Sequence, residues 1–138
     1  MCYSSQYQAG NMRTFKTRWF ARFARREDIS DEALREAIER SERGLIDADL
    51  GGGLIKLRVA RPGEGRSGGY RMIVAYRTRD RAFFLLGFAK SDQENIDSEQ
   101  LRTTRGIASH LLTASSDQLK VAIAEGEIQE ISYDNERT

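Results

Sequence analysis

Residues 82–89 read AFFLLGFA, eight positions without a charge. The run is far too short to cross a bilayer, which takes about 20 residues in a helix. It is nearly all apolar, so it predicts a central strand. Two further segments fit beside it. Residues 54–60 (LIKLRVA) alternate Ile55, Leu57 and Val59 with Lys56 and Arg58, the period-two pattern of a strand with one apolar face. Residues 70–77 (YRMIVAYR) supply a third strand, with Thr78, Arg79, Asp80 and Arg81 as a short hairpin turn into the apolar run. These three predict an antiparallel meander, packed on helices on one face and partly open on the other.

The flanks read as helix. Residues 12–16 predict a short strand, and a helix follows from about Thr17 with Trp19, Phe20, Phe23 and Ala24 on its core side. Ser30 is a good N-cap, Asp31 and Glu32 suit the first turn, and Leu34, Ala37, Ile38 and Ser41 mark a buried stripe that stops at Gly44. Two more helices are expected near the C-terminus. The first begins near Asp97 and carries Leu101, Ile107, Ala108, Leu111 and Leu112. The second runs from Ser115 to Gly126 with Leu119, Ala122 and Ile123 inside, and Ile128 and Ile131 suggest an edge strand after it. A chain of 138 residues can bury one core. Residues 1–11 are uncharged and without periodicity, which predicts a flexible leader before one domain spanning 12–138. Those eleven residues lack the basic start and apolar stretch of a secretory signal. Cys2 is the only cysteine, so neither an internal disulfide nor a cysteine zinc cluster is possible, and the expected compartment is the reducing cytoplasm.

Charge is unevenly distributed. The net charge is +1, yet residues 51–90 carry nine basic and two acidic side chains, whereas residues 91–138 carry four and ten. The middle segment reads as a phosphate-binding surface, unless it only neutralises the acidic last third within the fold. Seven of the twelve glycines and the only proline fall within 51–69. Gly63, Gly65 and Gly68 match G-x-G-x-x-G, but a strand follows where a dinucleotide site needs a helix. The kinase motifs His-Arg-Asp and Asp-Phe-Gly are missing. What remains is a basic, glycine-spaced connection in which Arg61, Arg66, Ser67, Gly68 and Gly69 could hold phosphate, or a long loop made soluble by its arginines. Neither a cofactor nor a metal is expected. The single histidine, His110, reads as a helix-surface or packed residue. RNA cleavage would then rest on cations, which is chemically sufficient. The ribose 2′-OH is itself the nucleophile, and the protein must align the phosphate, stabilise its added charge and assist two proton transfers.

The segments GGGLIKLRVA, RPGEGRSGGYR and DRAFFLLGFAKSDQENI together resemble the RelE/ParE-type toxins of bacterial toxin–antitoxin systems, and most of all the HigB-like branch. The resemblance runs from Met12 to Ile131. It implies an α+β fold: an N-terminal helical hairpin packed on a twisted antiparallel sheet, with C-terminal helices. It also implies an mRNA endonuclease, often acting in the ribosomal A site, silenced by an antitoxin expected to be a small helix-turn-helix protein; a membrane has no part in it. By position, the resemblance makes Lys56 a transition-state stabiliser and puts Arg58 where better-understood members carry a lysine base. It makes Arg71 the ligand of the scissile phosphate and Lys90 the basic residue after the last strand. Arg58 departs from that pattern, because guanidinium hardly releases its proton. The alternative is a non-catalytic inhibitor of a protein target such as DNA gyrase, as other members of the superfamily are.

Overall fold

The structure is a computed structural model that describes residues 12–61, 65–77, 79–89 and 97–131, without the side chains at 61 and 65–68. Elements follow in the order β1 (Arg13–Thr17), α1 (Arg18–Arg26), α2 (Asp31–Glu42), β2 (Ala48–Gly51), β3 (Leu54–Arg61), β4 (Gly65–Arg77), β5 (Arg81–Ala89), α3 (Ser98–Leu112), α4 (Ser116–Ala124) and β6 (Ile128–Ile131). Six strands form one sheet in the order β2-β3-β4-β5-β1-β6. The architecture is α+β, as the sequence predicts.

The sheet is mixed rather than purely antiparallel. β1 pairs in parallel with β5, Phe15 opposite Phe83, and antiparallel with β6, Phe15 opposite Glu130. Thr14, Phe15 and Thr17 are all buried, so this strand hides both faces and takes an interior place. Its five residues are too few to reveal that in sequence.

Each face of the sheet has its own core. On the first, Phe20, Phe23, Leu34 and Ile38 of α1 and α2 meet Ile55, Leu57, Val59, Tyr70, Met72, Val74 and Phe84. On the second, Ala108, Leu111, Leu112 and Leu119 of α3 and α4 meet Phe15, Leu54, Ile73, Ala75, Phe83, Leu85 and Phe88. The two N-terminal helices pack separately on the sheet, α1 over β5 and α2 over β3. The N-caps Ser30 and Ser115 accept from Ala33 and Gln118 backbone N–H groups, and Asp97 closes a capping box with Gln100.

Two expectations need correction, and one strand is added to them. Trp19 is 55 % exposed rather than part of the core. Phe20, Phe23 and Ala24 centre the buried stripe, which extends to Ala21 on the flank opposite Trp19, two 100° steps around the helix. The basic connection is far shorter than a loop over 61–69, because Gly65 already pairs with Arg61 and residues 65–69 run as strand. Four-residue β2 was not anticipated. It forms because Gly51, Gly52 and Gly53 all take positive φ (83°, 64° and 85°) and reverse the chain onto β3. A Cβ at Gly53 would lie 2.6 Å from Leu112 Cδ1, so this turn also seats α3.

Candidate anion-binding site

The alternation in β3 has one consequence for charge. With Ile55, Leu57 and Val59 buried against α2, Lys56 and Arg58 must share the opposite face of the sheet. Arg58 stands directly across from Arg71 on β4, and Lys56 across from Ile73. Like charges opposite one another in a ladder repel, so such a pair needs a counterion.

That counterion is Asp47, which sequence reasoning missed. Its backbone N–H donates to the Lys56 carbonyl (2.8 Å), which holds the residue at the start of β2. Its carboxylate accepts from Arg58 Nε at 2.7 Å through Oδ1. Oδ2 lies 3.6 Å from Lys56 Nζ and 3.7 Å from Arg71 Nε. Three cations therefore converge on one carboxylate, which is only 12 % exposed. The signal available in sequence was weak: Asp47 is one of two acids in IDADL, ahead of the glycine turn that folds it over β3.

Burial within the cluster is graded. The Arg58 side chain is 45 % exposed, Lys56 15 % and Arg71 6 %. Arg71 is the second residue of the strand that the sequence predicts over 70–77. The strand starts earlier, at Gly65, so Arg71 lies well within β4, flanked across the ladder by Arg58 and Phe88. Its Nη1 is buried and has no hydrogen-bond partner among the described residues. A buried guanidinium donor left in that state costs about 1–3 kcal/mol or more, and an arriving anion would recover it. The backbone beneath Arg58 is fixed from α2, where Arg40 Nη2 donates to the Arg58 carbonyl at 2.7 Å. A depression of about 330 Å³, lined by Arg40, Leu45, Ile46, Asp47, Leu57 and Arg58, opens beside the cluster.

Of the predicted site residues, Lys56, Arg58 and Arg71 come together. Gly69 is buried in β4 beside Tyr70. Lys90 lies outside the described residues, as do the side chains of Arg61, Arg66, Ser67 and Gly68. His110 is exposed on α3. It lines a separate groove with Trp19 and Ile128, at the β1–β6 end of the sheet and away from the cations. Among the described residues no cluster of three or more His, Cys, Asp or Glu side chains could hold a metal ion, and no helix is long and apolar enough to cross a membrane.

The described residues form a small α+β domain with a cluster of three cations around one carboxylate on a sheet face. The family model described as the RelE toxin of the RelE / RelB toxin-antitoxin system matches residues 12–131. The chain belongs to this family and is a toxin of a toxin–antitoxin system, with an antitoxin as its partner. No curated protein matches its sequence significantly.

Proposed function

We propose that this toxin is a cytoplasmic, metal-independent endonuclease of mRNA, of the HigB-like branch, and that residues 12–138 act as one domain behind a leader of residues 1–11. The observation that carries the reading is the convergence of Lys56, Arg58 and Arg71, with a buried Arg71 donor unpartnered among the described residues. Arg71 would bind the scissile phosphate. Lys56 and Arg58 would stabilise the charge that builds as the 2′-oxygen bonds to phosphorus and the 5′-oxygen leaves with a proton. Arg58 serves as a charge and not as a base, because guanidinium stays protonated. Lys90 and the basic segment around Arg61, Arg66, Ser67, Gly68 and Gly69 would extend the contact along the RNA backbone. A small helix-turn-helix antitoxin would silence the toxin by covering these cations.

Expression of the wild type should create new ends within the codons of cellular mRNA. Arg71→Met and the double change Lys56→Ala, Arg58→Ala should each reduce those cuts by about 100-fold or more, with the fold retained. Reconstitution with and without ribosomes then shows where cleavage takes place. DNA-damage signalling over intact mRNA would replace this reading with the gyrase-type inhibitor.

A further inference from the structure

Three large apolar side chains stand exposed among the described residues: Trp19, Leu45 and Val121. Of these only Leu45, 58 % exposed, lines the depression beside the cations. Its position follows from the way α2 ends. Gly44 takes φ +85°, its N–H donates to the Ser41 carbonyl at 3.0 Å, and the Leu45 N–H returns to the Arg40 carbonyl at 2.9 Å. An apolar residue just past such a glycine stop commonly folds back onto the last turn of its helix. Here Ile46 turns toward the α1/α2 core, and Leu45 is left largely uncovered. The Asp47 N–H is then tied to the Lys56 carbonyl, so backbone bonds hold both ends of this corner.

The depression of about 330 Å³ lies between that corner and β3, where the strand edge is open because β2 pairs only with Leu54, Ile55 and Lys56. It has two kinds of wall. Leu45, Ile46 and Leu57 supply apolar surface, while Arg40, Asp47 and Arg58 supply charge. Asp47 and Arg58 also belong to the cation cluster, so a ligand in the depression would lie next to a phosphate bound there. The volume is at the small end for ligand sites and suits one planar ring system. A nucleobase has the matching character: flat faces that pack on apolar side chains or on a guanidinium plane, and a polar edge that meets charged groups. The Arg58 guanidinium is 45 % exposed and fixed through Nε by Asp47, which suits it to lie against such a ring. Arg40 steadies the floor, since its Nη2 donates to the Arg58 carbonyl at 2.7 Å and its Nη1 lies 3.6 Å from Glu36.

We propose that this depression is a subsite for one nucleobase flanking the phosphate held by Lys56, Arg58 and Arg71, with Leu45 as the apolar wall against which the base packs. The proposal rests on the endonuclease reading and adds a base requirement to it: cleavage depends on a base beside the cut as well as on the RNA backbone.

The test uses an RNA oligonucleotide carrying a cut site mapped in cellular mRNA, presented on ribosomes where cleavage requires them. Two further versions lack the base on one or the other side of the cut. For the wild type, one of the abasic versions should be cleaved with kcat/KM about fivefold or more below that of the intact RNA. Leu45→Ala should lose about the same factor on intact RNA. Removing that base should then cost the variant no more than about twofold, because side chain and base no longer have each other to pack against. The variant should melt like the wild type, since the side chain it truncates is exposed.

Equal losses from base removal in the wild type and in Leu45→Ala overturn the proposal, as does a wild type indifferent to both abasic versions. Arg71→Met in the same assays keeps the two levels apart. If it loses cleavage of intact RNA while either overturning result holds, the nucleobase subsite fails and the phosphate site stands. If the wild type makes no cut in mRNA, or Arg71→Met cleaves as the wild type does, the endonuclease site itself fails and takes the subsite with it.

Discussion

The two faces of the sheet are built from the same strands yet serve opposite ends. The α1/α2 face is closed: Phe20 packs against Phe84 with the rings tilted and 5.1 Å apart, Phe23 meets Tyr70 edge-on at 5.7 Å, and the apolar side chains of β3 and β4 complete the layer. The other face is divided. α3 and α4 cover its apolar part, and Lys56, Arg58 and Arg71 occupy the part nearer the β2 edge. In the alternating strand β3, one residue in two goes to each purpose, so the tightly packed layer becomes the foundation of the charged one. The closed face is apolar core throughout, whereas the other combines an apolar core with a group of like charges around one carboxylate.

The sharpest way to break this comparison is to hollow out the closed face. Phe84 is fully buried, and Phe84→Ala should cost about 3–5 kcal/mol in urea denaturation, lowering activity in proportion to the fraction unfolded. A smaller effect is expected where the second face is seated. In Gly53→Ala a Cβ 2.6 Å from Leu112 Cδ1, on a residue at φ +85°, should cost about 1–3 kcal/mol and lower the melting temperature. The smallest change in stability belongs to the charged cluster. Arg71→Met replaces a buried, incompletely partnered cation by an apolar chain of similar length, so its unfolding free energy should stay within about 1 kcal/mol of the wild type or rise slightly. If Arg71→Met were as destabilising as Phe84→Ala, the division of labour between the faces would be wrong.

Much of the packing on both faces was legible in the sequence because it depends on local periodicity. The buried stripe Leu34, Ala37, Ile38 and Ser41, the alternation across residues 54–60, and the helix starts at Ser30, Asp97 and Ser115 all follow from side chains within a few residues of one another. The edge strand β6 also forms where Ile128 and Ile131 suggested it. Trp19 shows the limit of such reasoning. A single apolar position at the margin of a stripe is decided by what stands opposite it, and among the described residues nothing covers more than half of Trp19.

Among the site residues, the sequence by itself determined that Lys56 and Arg58 would share a face, since strand geometry allows nothing else. Their partnership with Arg71 depended on the register of β3 against β4, which a shift of one residue would have reversed. Asp47 depended on more still: a four-residue strand, a three-glycine turn and a backbone hydrogen bond to Lys56 bring its carboxylate to cations 9, 11 and 24 positions away along the chain. Charge composition tells how many cations a segment has, and alternation tells which side they face. Which anion answers them is a question of distance in space, and only the folded sheet closes that distance.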